Sequence, residues 1–338
     1  MTLRLGVVMD PIAGICYQKD TSLALLLKAQ ERGWQLYYME QSDLHQEEGV
    51  AMGAMAPLTV YDSAQRWFAL EHKEDAPLAS LDAILMRKDP PFDNEYIYST
   101  YMLEQAEREG TVVVNRPASL RDCNEKYFAT LFPNYTTPTL VSRDMARLKK
   151  FAQRNEDVIY KPLDGMGGAG VLRVKRDDAN LSVILEMLTS HGRTQIVAQR
   201  FIGEVSKGDK RILMIDGEPV PYALVRIPQS GELRGNLAAG GRGVVAPLSA
   251  RDREIAACVG PELQKRGLIF VGLDVIGDYL TEINVTSPTC VRQIEGESGY
   301  VITDKVLDVI ERRCTRERTS IEPEATDITP SHGSADRG

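Results

Sequence analysis

Two carboxylates and an amide stand close together late in the chain, in Leu273-Asp274-Val-Ile-Gly-Asp-Tyr-Leu-Thr-Glu282-Ile-Asn284. Glu282 and Asn284 are two apart, so on a strand they share a face. A three-residue turn at 277–279 would set Asp274 opposite Glu282 on that face. A two-residue turn would send the two carboxylates to opposite faces. Their oxygens are hard ligands, suited to Mg²⁺ that also holds phosphate. A solvated polar hairpin is the plainer reading. Against it, Val271, Leu273, Val275, Ile283 and Val285 indicate burial, where unpaired carboxylates are costly. A metal is therefore the favoured reading.

A lysine and a glycine cluster form a second candidate, Lys161-Pro-Leu-Asp-Gly-Met-Gly-Gly-Ala-Gly170. Gly165, Gly167 and Gly170 match the dinucleotide pattern G-x-G-x-x-G, but a strand-like segment follows where that fingerprint needs a helix. No Gly-Lys-Ser/Thr closes the run, so it is not a Walker A loop. What remains is a glycine hairpin whose peptide N–H groups can approach a phosphate, with Lys161 adding a point charge. An ordinary mobile hairpin fits these residues equally well. A third candidate is the loop 226–243, with three arginines (Arg226, Arg234, Arg242), one glutamate and five glycines. Loops this long are usually functional or disordered, and a lid bringing arginines to an anionic substrate fits the charge. A fourth is Arg87-Lys-Asp-Pro-Pro-Phe-Asp93, at the carboxyl end of a strand, where open α/β sheets place ligands. Arg87 could bind a substrate carboxylate there; a structural proline turn fits as well.

These residues need elements to hold them. Apolar runs at 3–9, 34–39, 83–87 and 111–115 alternate with helical patterns that end at Gly33 and Gly110. Strands alternating with helices imply a parallel sheet with covered faces. Residues 42–75 break the pattern and read as a small hairpin or excursion. Further on, strands at 158–161 and 171–174 flank the glycines, and a helix covers 181–188. Strands at 196–201, 211–215 and 220–227 follow, the last two joined by a tight Asp216-Gly217 turn. A helix with Ile255, Cys258, Val259 and Leu263 on one face leads to strands at 269–275 and 280–285 and a last helix near 302–313. Hairpin-linked strands make this part α+β. Residues 315–338 are polar and read as a disordered tail.

The 338 residues carry 40 Lys and Arg against 48 Asp and Glu, a net charge of −8. That balance argues against nucleic-acid and anionic-membrane partners, which want a basic face. The excess is local: residues 1–120 hold 10 basic and 18 acidic side chains, and the rest hold 30 of each. A site for an anion is therefore expected in the second part. Five scattered cysteines, none in a Cys-x-x-Cys pair, fit neither a disulfide scaffold nor a zinc site. No apolar run approaches the roughly 20 residues that span a bilayer, and the start lacks a signal-peptide pattern. A cytoplasmic protein is expected.

Lys161 before a glycine hairpin, then Asp274 and Glu282-x-Asn284, is the pattern of ATP-grasp ligases. The match is closer than that. Met86-Arg-Lys-Asp-Pro-Pro-Phe-Asp93, Ser119-Leu-Arg-Asp-Cys-Asn-Glu-Lys126, Lys161-Pro-Leu-Asp-Gly-Met-Gly-Gly168, Arg234-Gly-Asn-Leu-Ala-Ala-Gly-Gly-Arg-Gly243 and Leu280-Thr-Glu-Ile-Asn-Val-Thr-Ser-Pro-Thr-Cys290 resemble segments of the bacterial glutathione synthetases. The resemblance covers about residues 3–314. It implies an N-terminal parallel-sheet domain over 1–122 and an ATP-grasp domain over 123–314, split into α+β subdomains at 123–203 and 204–314. It also implies ligation of γ-glutamylcysteine to glycine, with ATP as co-substrate and two Mg²⁺ ions (Mn²⁺ as a substitute). Lys126 and Lys161 would hold the nucleotide phosphates, under Gly165, Gly167 and Gly168. Gln199, Phe201 and Ile202 would hold adenine, and Asp209 the ribose. Asp274, Glu282 and Asn284 would bind the metals. Arg211, Arg226 and Arg234 would meet the dipeptide or the acyl-phosphate charge, and Arg87, Thr286 and Ser287 the substrate. A homo-oligomer, a tetramer, is also implied. The rivals are another ATP-grasp carboxylate–amine ligase and a non-catalytic ATP-binding regulatory protein. Residues 86–93 and 119–126 speak against the first, and the complete metal trio against the second.

Overall fold

A computed structural model describes residues 2–229 and 240–321. Arg234 and residues 322–338 lie outside the described residues. The first part runs β1 (Arg4–Val8), α1 (Thr21–Glu31), β2 (Gln35–Met39), β3 (Leu44–Glu47), β4 (Val50–Val60), β5 (Phe68–Leu70), β6 (Glu74–Pro77), β7 (Ala83–Met86), α2 (Asn94–Arg108) and β8 (Val112–Val114). Both helices start where an aspartate side chain accepts an otherwise unpaired N–H: Asp20 from Leu23, and Asp93 from Tyr96. Strands β2, β1, β7 and β8 pair in parallel, in that order. Their near-continuous apolar runs suit a sheet buried on both faces. The region expected to be a small excursion is larger. The long β4 adds antiparallel to β2, and β3, β5 and β6 pair with β4, giving eight strands.

Two short helices, α3 (Pro117–Asp122) and α4 (Glu125–Ala129), lead into the second part. There β9 (Thr139–Ser142), α5 (Met145–Asn155), β10 (Asp157–Pro162), β11 (Leu172–Lys175), α6 (Leu181–Leu188) and β12 (Ile196–Arg200) follow. The four strands form an antiparallel sheet ordered β11-β10-β12-β9. It has its own core, built by Leu148, Phe151, Val158, Tyr160, Leu185 and Ile196. Next come β13 (Asp209–Ile215), β14 (Glu218–Ile227), β15 (Arg242–Pro247), α7 (Ala250–Lys265), β16 (Phe270–Ile276) and β17 (Tyr279–Asn284). These strands form a five-stranded antiparallel sheet, β15-β14-β13-β16-β17.

The last helices, α8 (Val291–Ser298) and α9 (Ile302–Ile321), turn back onto the first part. Ile294, Val306 and Ile310 share a core with Leu5, Leu23 and Ala29. Arg32 at the end of α1 reaches Asp304 at 2.7 Å and Asp308 at 2.8 Å. The stretch expected to be one C-terminal subdomain therefore divides its packing between two bodies. Helix α9 also runs past residue 315, where the sequence suggested a disordered tail. Cys314 is still buried in the core, and the arginines and glutamates after it are good helix formers.

Candidate active site

One hairpin sets the carboxylate pair. Ile276 pairs with Tyr279 and Val275 with Leu280, so the turn holds two residues, Gly277 and Asp278, and not three. Such a turn alone would part Asp274 from Glu282. A bulge at Thr281 restores them: beyond it Asp274 pairs with Glu282, Leu273 with Ile283, and Gly272 with Asn284. The Thr281 hydroxyl donates to the Asp274 carbonyl at 3.1 Å, pinning the bulge.

The neighbouring strands supply the counter-charges by register. Strand β13 lies between β14 and β16, setting Asp209 beside Arg226 and Arg211 beside Asp274. Arg211 donates to both Asp274 oxygens, at 2.6 and 3.1 Å. Arg226 NH2 bridges the two carboxylates, 2.5 Å from Asp209 and 3.0 Å from Asp274. Gly272 makes room, since a Cβ there would sit 2.8 Å from Arg211 Cδ. Burial pushes the Asp274 carboxyl up, but the two guanidiniums outweigh it and hold the group well below the ordinary carboxylate range. Asp209 goes the other way. Burial, with Asp274 repelling and Arg226 opposing, pushes it up to about 7. Its Oδ1 has no partner among the described residues.

Lys161 on β10 and Lys126 on α4 converge on Glu282, with Nζ 3.3 and 3.8 Å from Oε1. Lys126 also donates to the Gly165 carbonyl, tying α4 to the glycine hairpin between β10 and β11. Gly167 and Gly168 hold φ of 61° and 82°, a conformation that strains other residues.

These groups wall one cleft of about 370 Å³. Of the residues singled out from the sequence, Lys126, Lys161, Gly165, Gly167, Gly168, Gln199, Phe201, Ile202, Asp209, Arg211, Arg226, Asp274, Glu282, Asn284, Thr286 and Ser287 all line it. Ile159, Val171, Val205 and Ile276 add apolar wall. Arg87 does not belong to this wall. Its guanidinium is buried, donating to Ser22 Oγ at 3.0 Å and the Pro288 carbonyl at 2.9 Å, with the Phe270 ring beneath. Arg87 thus braces the 287–288 turn from behind, and Ser287 Oγ reaches its carbonyl at 3.3 Å. Two carboxylates of the wall were not among the expected site residues. Asp89 sits at the exposed rim, and Glu125 precedes Lys126. The motif 119–126 contained Glu125, but its lysine drew the attention. Glu125 Oε1 accepts from Val285 N at 2.9 Å, Thr286 N at 3.1 Å and Thr286 Oγ1 at 2.8 Å.

The donor set fits a hard divalent cation. Asp274, Glu282 and Asn284 share one face in one cleft, and all offer oxygen. Asn284 spends its Nδ2 on the Gly272 carbonyl at 3.2 Å, leaving Oδ1 without a protein partner among the described residues.

The chain matches known sequences over both of its parts. The pattern of the prokaryotic glutathione synthetase N-terminal domain matches residues 3–121, and that of its ATP-grasp domain matches 125–299. The chain belongs to the prokaryotic glutathione synthetase family. It is 66% identical over 310 residues to the glutathione synthetase of Pseudomonas aeruginosa, covering 92% of this chain and 98% of that protein. It is 60% identical over 311 residues to that of Shewanella oneidensis, covering 92% and 99%. Among solved structures, D-cycloserine synthetase DcsG superposes with a TM-score of 0.64 at 14% identity, over 92% of this chain and 99% of that one. D-alanyl-alanine synthetase A of Vibrio cholerae gives 0.58 at 11%, over 93% and 99%. At that identity the likeness is one of fold, the ATP-grasp fold. In this chain the cleft lies where the glycine hairpin of one sheet meets the carboxylate hairpin of the other.

Proposed function

We propose that the chain joins the cysteinyl carboxylate of γ-glutamylcysteine to the amine of glycine, using ATP and giving glutathione, ADP and phosphate. The near-full-length match to proteins named glutathione synthetase, at 55–66% identity, carries this reading. In the first step a cysteinyl carboxylate oxygen attacks the γ-phosphorus, and the bond to the ADP oxygen breaks. An acyl phosphate results. In the second step the glycine ammonium gives up one proton to solvent, the freed amine attacks the acyl carbon, phosphate departs, and a second proton leaves the nitrogen with it. No protein nucleophile is needed, so the chain works by position and charge.

Lys126 and Lys161 are placed to hold the phosphates, and the N–H groups around Gly165, Gly167 and Gly168 to cover them. Gln199, Phe201 and Ile202, with Ile159 and Val171, offer the adenine an apolar slot, and Asp209 faces the ribose. Arg211 and Arg226 offset the charge of the acyl phosphate, kept in place by Asp274 and Asp209. Thr286 and Ser287 contact the dipeptide, and Arg234 meets the reacting groups from its loop. A divalent ion at Asp274, Glu282 and Asn284 would neutralise phosphate charge as it moves; two Mg²⁺ ions, with Mn²⁺ as a substitute, fit oxygen donors. We place the enzyme in the cytoplasm as a homotetramer, with domains at 1–122 and 123–314.

An ADP-release assay tests the function. Purified chain receives ATP, Mg²⁺ and γ-glutamylcysteine with glycine, alanine or no amine. Strong dependence on glycine is expected. ADP release indifferent to the amine, or preferring alanine, would overturn the reading.

A further inference from the structure

The second chemical step brings an amine into a site built for anions. Glycine arrives as an ammonium, and the cleft presents it with four buried cations, Lys126, Lys161, Arg211 and Arg226. An ammonium needs a carboxylate that no protein cation already holds. Five carboxylates line the cleft: Asp89, Glu125, Asp209, Asp274 and Glu282. Asp209 and Asp274 are bound by the arginines, and Glu282 by the lysines. Asp89 stands exposed at the rim. Glu125 is different: it is half-buried in the wall, yet it makes no ion pair among the described residues.

Its two oxygens are used unequally. Oε1 takes three hydrogen bonds from Val285 and Thr286, which fix the side chain. Oε2 has no hydrogen-bond partner among the described residues and is not among the fully buried orphan atoms, so it opens onto the cleft. The three donors come from the residues directly after Asn284, at the end of the cleft where both lysines point. A second cavity, of about 20 Å³, lies on the other side of Glu125 and Lys126. It has room for about one water and none for an amino acid, so a ligand must come from the main cleft.

We infer that Glu125 binds the ammonium of the amine substrate, through Oε2, beside the acyl phosphate. The inference rests on the ligase reading above. The α-ammonium of the γ-glutamyl group is the other cation at hand. It lies at the far end of the dipeptide from the reacting carboxylate, whereas Glu125 adjoins the phosphate end. Burial raises the Glu125 carboxyl above the ordinary range, against hydrogen bonds from Thr286 that lower it, as expected of a carboxylate that lacks a cation.

Glu125→Gln tests this with little change of shape, because the amide oxygen still accepts from Val285 and Thr286. Steady-state kinetics would be run on the full chain with glycine and, separately, with hydroxylamine. Hydroxylamine is uncharged at neutral pH and also captures acyl phosphates, so it needs no ammonium site. The expected result is a KM for glycine raised about 10- to 100-fold, the worth of one charged hydrogen bond. The KM values for ATP and γ-glutamylcysteine, and turnover with hydroxylamine, should stay within roughly twofold. An unchanged KM for glycine overturns the inference. So does a loss shared equally with hydroxylamine or the dipeptide, which would make Glu125 a brace for the 285–286 turn or a site for the γ-glutamyl group. Failure of the ligase reading shows separately, as wild-type ADP release that ignores glycine.

Discussion

Arg226 is the residue on which two buried carboxylates depend, since one of its nitrogens serves both Asp209 and Asp274. Removing it strands Asp209 and leaves Asp274 to Arg211 alone. Arg226→Met should lower stability at pH 7 by about 3–5 kcal/mol, read from urea unfolding. Arg226→Lys keeps the charge but loses the planar fork, and should fall between Met and wild type. A methionine variant as stable as wild type would show that the bridge contributes nothing. Glu282 differs in kind, because it is partly exposed and the two buried lysines beside it also donate to the Gly165 and Thr281 carbonyls, contacts that a glutamine leaves in place. Glu282→Gln should reduce ligation by more than about a hundredfold while leaving the thermal midpoint unchanged. Wild-type turnover in that variant would remove Glu282 from the metal set. At this scale the sequence was legible where spacing grouped the residues, as with Lys161 before glycines and Asp274 with Glu282-x-Asn284, all of which line one cleft. Arg87 was not, because which way an arginine turns is decided by acceptors such as Ser22 and the Pro288 carbonyl, far away in the chain.

Elements decide whether such residues face each other. The β16–β17 hairpin shows the limit of counting, since one residue of slip exchanges the two faces of a strand. The two-residue turn was open to expectation, but the bulge at Thr281 was not, and only the two together bring Asp274 to Glu282. Helix α7 is fastened to this hairpin by Arg251, which donates to the Asp278 carbonyl at 3.2 Å, and by a lysine. Lys210 on β13 pairs with Asp252 in the first turn of α7 and donates to the Gly277 carbonyl at 3.0 Å. Asp252 also closes a capping box with Ser249. Burial raises the Asp252 carboxyl, and the Lys210 ammonium together with hydrogen bonds from Ser249 more than reverses this and holds it below the ordinary range. A depressed carboxyl stabilises the fold above its unfolded pKa, and that stability is lost as pH falls through the folded value. Lys210→Met should therefore cost on the order of 3 kcal/mol at pH 7, by leaving a buried carboxylate unpaired. The difference from wild type should shrink below about pH 4, as Asp252 takes up a proton. Urea unfolding at the two pH values would check it, and a gap that widens in acid would refute the pairing.

Across the whole molecule, charge and packing divide along different lines. The entire excess of negative charge lies in residues 1–120, which lend the cationic cleft one rim carboxylate, Asp89, so the net charge of −8 says nothing against a polyphosphate ligand. The parallel and antiparallel sheets were legible because periodicity and turn residues report local pairing. The return of α8 and α9 onto the first part was not, because it depends on contacts such as Arg32 with Asp304 that no local pattern announces. The same holds for Asn115, just past the end of β8. It is buried, and its Oδ1 accepts from Phe270 N at 2.9 Å, while its Nδ2 donates to the carbonyls of Phe270 and Val285, each at 2.7 Å. One amide thus joins the first sheet to both strands that carry the metal residues. Asn115→Asp keeps the acceptor, loses the donor and sets a charge against two carbonyls. Two buried acceptors left unsatisfied cost about 1–3 kcal/mol each. The thermal midpoint should then fall by on the order of 5 °C, and glycine-dependent turnover should decline with it on warming. If Asn115→Asp melts with wild type, the two parts are held together by their shared cores alone, and the position of the carboxylate hairpin does not depend on this amide.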